Sequence, residues 1–249
     1  MEQQKPRHRD EAVEMIECYL QRQNLAPHAK LPSEREMCQM WNLNRTTLRA
    51  AIRRLIEMGV LYSLKGSGTY VAAPRLERNL QDAKSTTESV RSSGRKLKTR
   101  LLESEIIEAS PYLAQKLQLP EGRKLLLLRR LRLLDGVPYM LECNYINLEY
   151  CPRLVDYDFG EESLFQVMSY YNIYPCQGKE FVGITYATEE EGRLLQLPEG
   201  EPLFFLTGIT KDYHGVPLEY FKSVVRPDMV RFSSVLRNYR PNTERSGPK

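Results

Sequence analysis

The chain has 249 residues, of which 41% are hydrophobic and 27% charged, and its formal net charge is +4. No apolar run approaches the roughly 20 residues that cross a bilayer, and residues 1–15 are charged with no apolar centre, so neither a membrane span nor a signal peptide is expected and the chain is assigned to the cytoplasm, with no membrane partner. The five cysteines (Cys18, Cys38, Cys143, Cys151 and Cys176) are odd in number and form no CxxC, and the three histidines lie near no cysteine pair, so reduced thiols are expected and no metal or cofactor.

The charge is unevenly placed. Residues 1–75 carry 12 Lys+Arg against 8 Asp+Glu, whereas residues 76–249 carry 24 of each, so the whole excess lies in the first third. That is the direction expected of a nucleic-acid-binding module.

In chain order, Glu11 to Leu20 carries apolar residues at helical spacing (Ala12, Val13, Met15, Ile16, Tyr19, Leu20), and Pro27 ends the segment. Ser33 and Glu36 have the spacing of a capping box, which starts a second helix at Glu34 running to about Trp41. Asn42-Leu43-Asn44 is a tight connection, Asn44 a good N-cap, and Arg45 to about Met58 a third helix stopped by Gly59. Leu48, Ile52, Leu55 and Ile56 give this helix a face to bury, and Trp41 reads as core. Arg45 and Arg49, four apart and about 40° apart around the axis, share the opposite face. Val60-Leu61-Tyr62 and Thr69-Tyr70-Val71 read as strands joined through Gly66 and Gly68.

A basic face opening at a helix N-terminus, behind a capped helix and a short turn, is the pattern that carries arginines to base edges in a major groove. Arginine reads guanine bidentately, and threonine reaches phosphate or a thymine methyl. The candidate DNA-contacting residues are Ser33, Arg35, Asn44, Arg45, Thr46, Thr47, Arg49, Lys65 and Gly66.

Leu31–Glu36, Arg45–Arg49 and Gly66–Val71 together resemble the winged helix-turn-helix of the GntR family of bacterial transcription regulators, over about residues 8–73. The resemblance implies operator contacts by Arg35, Arg45, Thr47 and Arg49, and close approach of the wing tip at Gly66. Leu64-Lys65 stands where the family more usually has an arginine, so a charge is kept without the forked geometry.

Residues 74–96 are polar, with Lys84-Ser85-Thr86-Thr87-Glu88-Ser89 and Ser92-Ser93-Gly94, and read as a linker into a second domain over 97–237; a polar tail follows over 238–249. The second domain repeats itself. Leu117-Gln118-Leu119-Pro120-Glu121-Gly122 recurs as Leu195-Gln196-Leu197-Pro198-Glu199-Gly200, and Asp135-Gly136-Val137-Pro138 is echoed by His214-Gly215-Val216-Pro217. Each copy reads as helix, turn, strand, hairpin, strand, with strands at Leu125–Leu133, Tyr139–Ile146, Leu203–Thr210 and Leu218–Val225. Two copies suit one antiparallel sheet made by duplication, not a solenoid. The fold class is therefore α+β.

Arg130 and Arg132 alternate onto one face of their strand, Glu142 lies on the strand after the hairpin, and Glu219 and Tyr220 lie on the corresponding strand of the second copy. Two converging arginines suit a phosphate or carboxylate, and a nearby glutamate suits hydroxyls or an amine; a surface cross-strand ion pair is the plainer alternative. The layout resembles the UTRA effector-binding domain of the HutC subfamily, with its chorismate-lyase-like fold, through the Leu-Pro-Glu-Gly turns, Arg130-Leu131-Arg132, Gly136-Val137-Pro138, Glu142, Ser163-Leu164-Phe165 and Glu219-Tyr220. The resemblance implies an effector pocket formed by Thr87, Arg130, Arg132, Glu142, Ser163 and Glu219, and Tyr220 joins the candidates.

The expected function is a ligand-responsive repressor, working as a homodimer on double-stranded operator DNA and released by a small anionic effector, a sugar phosphate being favoured. The alternatives are an enzyme of chorismate-lyase-like fold and an effector-independent DNA-binding protein. No Ser/Cys–His pairing or phosphate-cradling loop supports catalysis, and His214 in a hairpin is the second domain's only histidine.

Overall fold

The computed structural model describes residues 8–64, 66–82 and 84–235, so Lys65 and the tail 238–249 lie outside the described residues. Two compact units meet in sequence between Arg75 and Leu76.

The N-terminal unit consists of α1 (His8–Arg22), α2 (Glu34–Trp41), α3 (Arg45–Glu57), β1 (Leu61–Leu64) and β2 (Gly68–Val71). The apolar stripe of α1 buries Ala12, Val13 and Ile16 against Met37 of α2 and Leu48, Ala51, Ile52 and Leu55 of α3. Leu31 and Leu61 close this core, and Trp41 packs on its margin against Tyr19. The helix starts are set locally. The Glu36 backbone N–H donates to Ser33 Oγ at 3.3 Å and the Ser33 N–H donates to Glu36 Oε2 at 2.7 Å, while the Thr47 N–H donates to Asn44 Oδ1 at 2.8 Å. β1 and β2 pair antiparallel from Leu61–Val71 to Leu64–Gly68. Gly66 turns the hairpin at φ +78°, a conformation strained for any residue with a Cβ.

The C-terminal unit runs β3 (Leu76–Asn79), α4 (Thr86–Ser92), β4 (Leu97–Glu108), α5 (Pro111–Leu117), β5 (Lys124–Leu134), β6 (Val137–Asn147), a short 3-10 helix (Pro152–Asp156), α6 (Leu164–Tyr170), β7 (Gln177–Tyr186), α7 (Glu189–Leu195), β8 (Pro202–Lys211), β9 (Pro217–Val225) and β10 (Val230–Ser233). Six strands form one antiparallel sheet in the order β4-β5-β6-β9-β8-β7. The order is palindromic, so the two copies of the repeat meet along β6 and β9. Each copy proves one strand longer than the sequence reading, with β4 and β7 as its first strands. The repeated Leu-Gln-Leu-Pro-Glu-Gly ends α5 and α7 alike, with Gln118 (φ 56°) and Gln196 (φ 58°) left-handed at the helix caps.

The helices divide between the two sheet faces. On the back, α5 covers Leu125 and Tyr220, and α7 covers Leu131, Leu141, Leu203 and Val224. On the front, α6 and the 3-10 helix cover Leu126, Leu128 and Ile146, while Leu76 of β3, Val90 of α4 and Val230 of β10 cover Met140, Leu206 and Val225.

One expectation is corrected. Residues 74–96 are no bare linker. β3 pairs in parallel with β10, Leu76 against Val230, and α4, capped by Ser85, buries Val90 completely. A single apolar residue in each element leaves no periodicity to read, and the strand partner lies about 150 residues away in sequence.

Candidate functional site

Two sites arise, one in each unit. In the N-terminal unit α3 buries Leu48, Ala51, Ile52 and Leu55, so Arg45, Thr46 and Arg49 stand exposed on its outer side, with Thr47 half-buried. Arg35, the second residue of α2, is exposed as well. Arg49 Nε lies 2.8 Å from Glu34 Oε2, a surface pair that ties α3 to α2. The side-chain oxygens of Ser33 and Asn44 are engaged in capping, so in this state those two residues hold the helix starts. Gly66 is exposed at the hairpin tip with nothing within 4 Å of the place a Cβ would occupy. Lys65 beside it is not among the described residues.

The second site is a cavity of about 410 Å³ in the C-terminal unit. Its floor is the front of the sheet. Thr87, Arg130, Arg132, Glu142, Ser163 and Glu219 all line it, which brings together every expected pocket residue except one. Tyr220 is the exception and is a correction. Successive strand residues point to opposite faces, so with Glu219 on the front Tyr220 must face the back. There its hydroxyl bonds that of Tyr112 at 3.0 Å and its ring stacks on Tyr145.

The plainer alternative of a surface ion pair does not hold either, since Arg130, Arg132, Glu142 and Glu219 are each under 8% exposed. Arg130 Nη2 lies 2.8 Å from Glu142 Oε2 and donates to Asn144 Oδ1 at 2.9 Å. Asn144 Nδ2 then donates to Glu219 Oε2 at 3.0 Å, and the Thr210 hydroxyl donates to Glu219 Oε1 at 3.0 Å. Arg132 is held differently. Its Nη1 donates to Thr99 Oγ1 at 2.8 Å and its Nη2 to Thr87 Oγ1 at 3.0 Å, while its Nε stays 3.7 Å from Glu142. Arg130 Nε, Arg132 Nε and Ser223 Oγ are buried without a hydrogen-bond partner.

This network sorts the charges. Burial pushes the Glu142 carboxyl up, but Arg130, Arg132 and Arg78 outweigh it and hold the group below its ordinary range. Burial, and then the neighbouring Glu142 charge, push Glu219 up to about 7 against the hydrogen bonds from Thr210 and Asn144 and the charge of Arg130. Burial lowers the Arg130 guanidinium against the pull of Glu142. Just below neutrality Glu142, held below its ordinary range, is thus ionised and Glu219 is protonated, so two buried arginines face one buried carboxylate.

The sign of the linkage follows from these values. Glu219 sits at about 7 in the folded chain against an ordinary value of 4.5, so between those values the native state keeps a proton that the unfolded chain releases. Its contribution to stability is whole below about 4.5 and is lost as pH rises through about 7. Glu219→Gln is expected to remove this component, on the order of 3 kcal/mol. Urea denaturation at pH 5 and pH 8 measures it, and parallel wild-type and variant profiles would contradict the assignment.

Sequence reasoning missed Arg78, Asn144 and Glu180 in this cavity. Arg78 Nη2 pairs with Glu180 Oε1 at 2.8 Å across the opening strands β3 and β7. Asn144 was within reach, since it alternates with Glu142 along β6. Arg78 lay in the supposed linker and Glu180 in an unrecognised strand.

The model of the "UTRA domain" matches residues 92–231, and that of "Bacterial regulatory proteins, gntR family" matches residues 8–71. The HTH-type transcriptional repressor NagR of Bacillus subtilis (strain 168) is 31% identical over 88% of this chain and 90% of its own length. A probable fructoselysine utilization operon transcriptional repressor of Escherichia coli (strain K12) is 27% identical over 81% of this chain and 83% of that protein. The histidine utilization repressor of Pseudomonas putida is 27% identical over 72% of each chain. Among solved structures, PhnF from Mycobacterium smegmatis superposes with a TM-score of 0.69 at 24% identity, covering 92% of this chain and 100% of that one, which is a likeness of fold.

Proposed function

The chain belongs to the gntR family of bacterial regulatory proteins, with a UTRA domain after its helix-turn-helix, and from that premise we propose that it is a homodimeric repressor released from operator DNA by a small anionic metabolite. The relatives named above are transcriptional repressors and PhnF shares the fold, so the enzyme reading gives way. α3 is the recognition helix, with Arg45, Thr46, Thr47 and Arg49 toward the bases, Arg35 beside them and the Gly66 hairpin as the wing. Two copies read half-sites about one helical turn apart.

The observation that carries the effector class is the state of Arg132. It is 3% exposed, hydrogen-bonded to two threonine hydroxyls and 3.7 Å from the Glu142 carboxylate, and its Nε has no hydrogen-bond partner. A buried guanidinium so placed takes an anion well, because the phosphate or carboxylate supplies the missing acceptors. Asn144, Ser223 and Glu219 offer hydrogen bonds for hydroxyls or an amine, and a cavity of about 410 Å³ holds a small metabolite. A sugar phosphate meets these demands, and the fructoselysine and histidine systems of two relatives also concern small polar metabolites. Ligand moves the protein off DNA only by binding the non-operator state more tightly than the operator state.

Thermal shift with a panel of sugar phosphates and their unphosphorylated sugars tests this. A phosphorylated member is expected to raise the melting temperature by several degrees and to release operator in a gel shift, with both effects absent in Arg132→Ala. A hit that acts equally on Arg132→Ala moves the pocket elsewhere. A panel in which nothing shifts the protein favours an effector-independent DNA binder.

A further inference from the structure

The duplication gives the cavity an internal comparison. Aligned on their Leu-Pro-Glu-Gly and Gly-Val-Pro marks, the two copies set Arg130 against Gly208 and Glu142 against Phe221. Arg130 faces Glu142 in register between β5 and β6, and Gly208 faces Phe221 in the same way between β8 and β9. Arg130, Glu142 and Phe221 line the cavity, so one half of its floor carries an ion pair where the equivalent place in the other half carries an aromatic ring beside a glycine. A Cβ at Gly208 would lie 2.5 Å from Phe221 Cζ and 2.7 Å from the Lys179 carbonyl oxygen. The Phe221 side chain thus leans across β8 into the space that a side chain at position 208 would take, and its ring lies along the cavity floor.

We propose that Phe221 is the platform on which a ring of the effector stacks, so that the effector is a cyclic sugar phosphate with its phosphate on Arg130 and Arg132 and a C–H face of its ring on Phe221. This rests on the anion reading of the cavity above and names the part of the ligand beyond the anion. An aromatic face is negative and attracts the partly positive C–H groups of a saturated ring. Only β6 lies between the strands of Arg130 and Phe221, so two strand spacings, about 10 Å, separate them. That is the reach from a guanidinium through a phosphate ester to a six-membered ring. Polar groups flank the platform. Asn144 stands opposite Phe221 and Glu180 opposite Gly208 on the neighbouring strands, and Ser223 Oγ, two residues along β9, is buried without a hydrogen-bond partner. These groups suit the hydroxyls around a sugar ring, which a flat aromatic acid does not offer.

The test titrates the full chain by calorimetry with inorganic phosphate, glycerol 3-phosphate and the 6-phosphates of glucose, glucosamine and mannose. In wild type at least one hexose phosphate is expected to bind more tightly than glycerol 3-phosphate. Phe221→Leu keeps an apolar side chain but no flat face. It is expected to lose about 2- to 12-fold on that hexose phosphate, while phosphate and glycerol 3-phosphate bind as before. Arg132→Ala is expected to weaken all of the anions. Proton NMR of the wild type with the same hexose phosphate reads the contact without a variant: the protons on the stacked face are expected to move upfield in the ring current, and those at C6 are not. Arg132-dependent binding with an unchanged hexose phosphate affinity in Phe221→Leu, an equal loss on every anion, or no upfield shift overturns the platform and leaves the anion reading standing. No binding of any of these probes to wild type overturns both.

Discussion

Arg49→Ala is expected to weaken operator binding by about 5- to 150-fold and to relax sequence preference at one base pair in each half-site, the effect of losing a bidentate arginine–guanine contact worth roughly 1–3 kcal/mol. The folded chain holds this arginine ready at modest cost. Its partner Glu34 is 2.8 Å away, but the two side chains are 63% and 39% exposed, and a pair so open to water contributes under about 1 kcal/mol. Transfer of the guanidinium from Glu34 to a base therefore loses less than the base contact gains. Stability should hardly change in the variant, because the residue's core neighbours Leu48 and Ile52 are untouched. Arg49→Lys separates charge from geometry. It should keep most of the salt-dependent affinity and lose the preference, since lysine has no fork. Fluorescence anisotropy at fixed salt, on operator and on a scrambled duplex, reads both quantities. Wild-type affinity and preference in Arg49→Ala would remove α3 from the role of recognition helix.

The largest expected loss of stability lies in the other unit. Glu142→Ala is expected to cost roughly 3–5 kcal/mol, the range for breaking a buried ion pair from one side. The carboxylate lies 2.8 Å from Arg130 and 3.7 Å from Arg132, and both arginines are 3% exposed. Without Glu142 two guanidinium groups share a buried site whose other carboxyl, Glu219, is protonated up to about pH 7. Arg130→Met/Glu142→Leu should recover part of the loss, because an apolar pair removes the desolvation cost of Arg130 along with its attraction, while Arg132 stays buried without the carboxylate. That double variant keeps Arg132 but lacks Arg130 of the proposed anion site, so a stable fold with lost ligand response would separate the two roles. Urea denaturation at pH 7 checks the pair. A loss under about 1 kcal/mol in Glu142→Ala would show that water or rearrangement replaces the carboxylate.

With burial pushing Glu219 up to about 7, binding of the proposed anion is expected to depend on pH. Lowering the pH through about 7 protonates Glu219 and leaves the cavity with one more positive than negative charge among Arg130, Arg132 and Glu142. Affinity for an anion should rise in the same direction as stability, and for the same reason.

Much of this protein can be read from residues a few places apart. The capping box at Ser33 and Glu36, the cap at Asn44, the buried stripe of α3 and the hairpin at Gly66 act over one helical turn or one tight turn, and the structure has them where the spacing puts them. The repeated Leu-Gln-Leu-Pro-Glu-Gly and Gly-Val-Pro marks disclose the duplication, and hence the antiparallel sheet, because equal sequences make equal local turns. The alternation of Arg130 with Arg132, and their nearness to Glu142 across a hairpin, follow from strand periodicity alone.

What the sequence could not decide is which of these groups share a cavity. Tyr220 was grouped with Glu219 as a neighbour, and the strand's period of two sends it to the opposite face. Residues 74–96 look like a linker, and only the pairing of Leu76–Asn79 with Val230–Ser233 turns them into a wall of the pocket that brings Arg78, Thr86 and Thr87 to the sheet. The retained proton of Glu219 and the exposed apolar edge of β7 likewise depend on burial and strand order. Local hydrogen bonding and side-chain periodicity determine the elements because their partners are near in sequence. A cavity, a buried charge and a free edge are set by contacts between distant segments, so they exist only once the chain has folded.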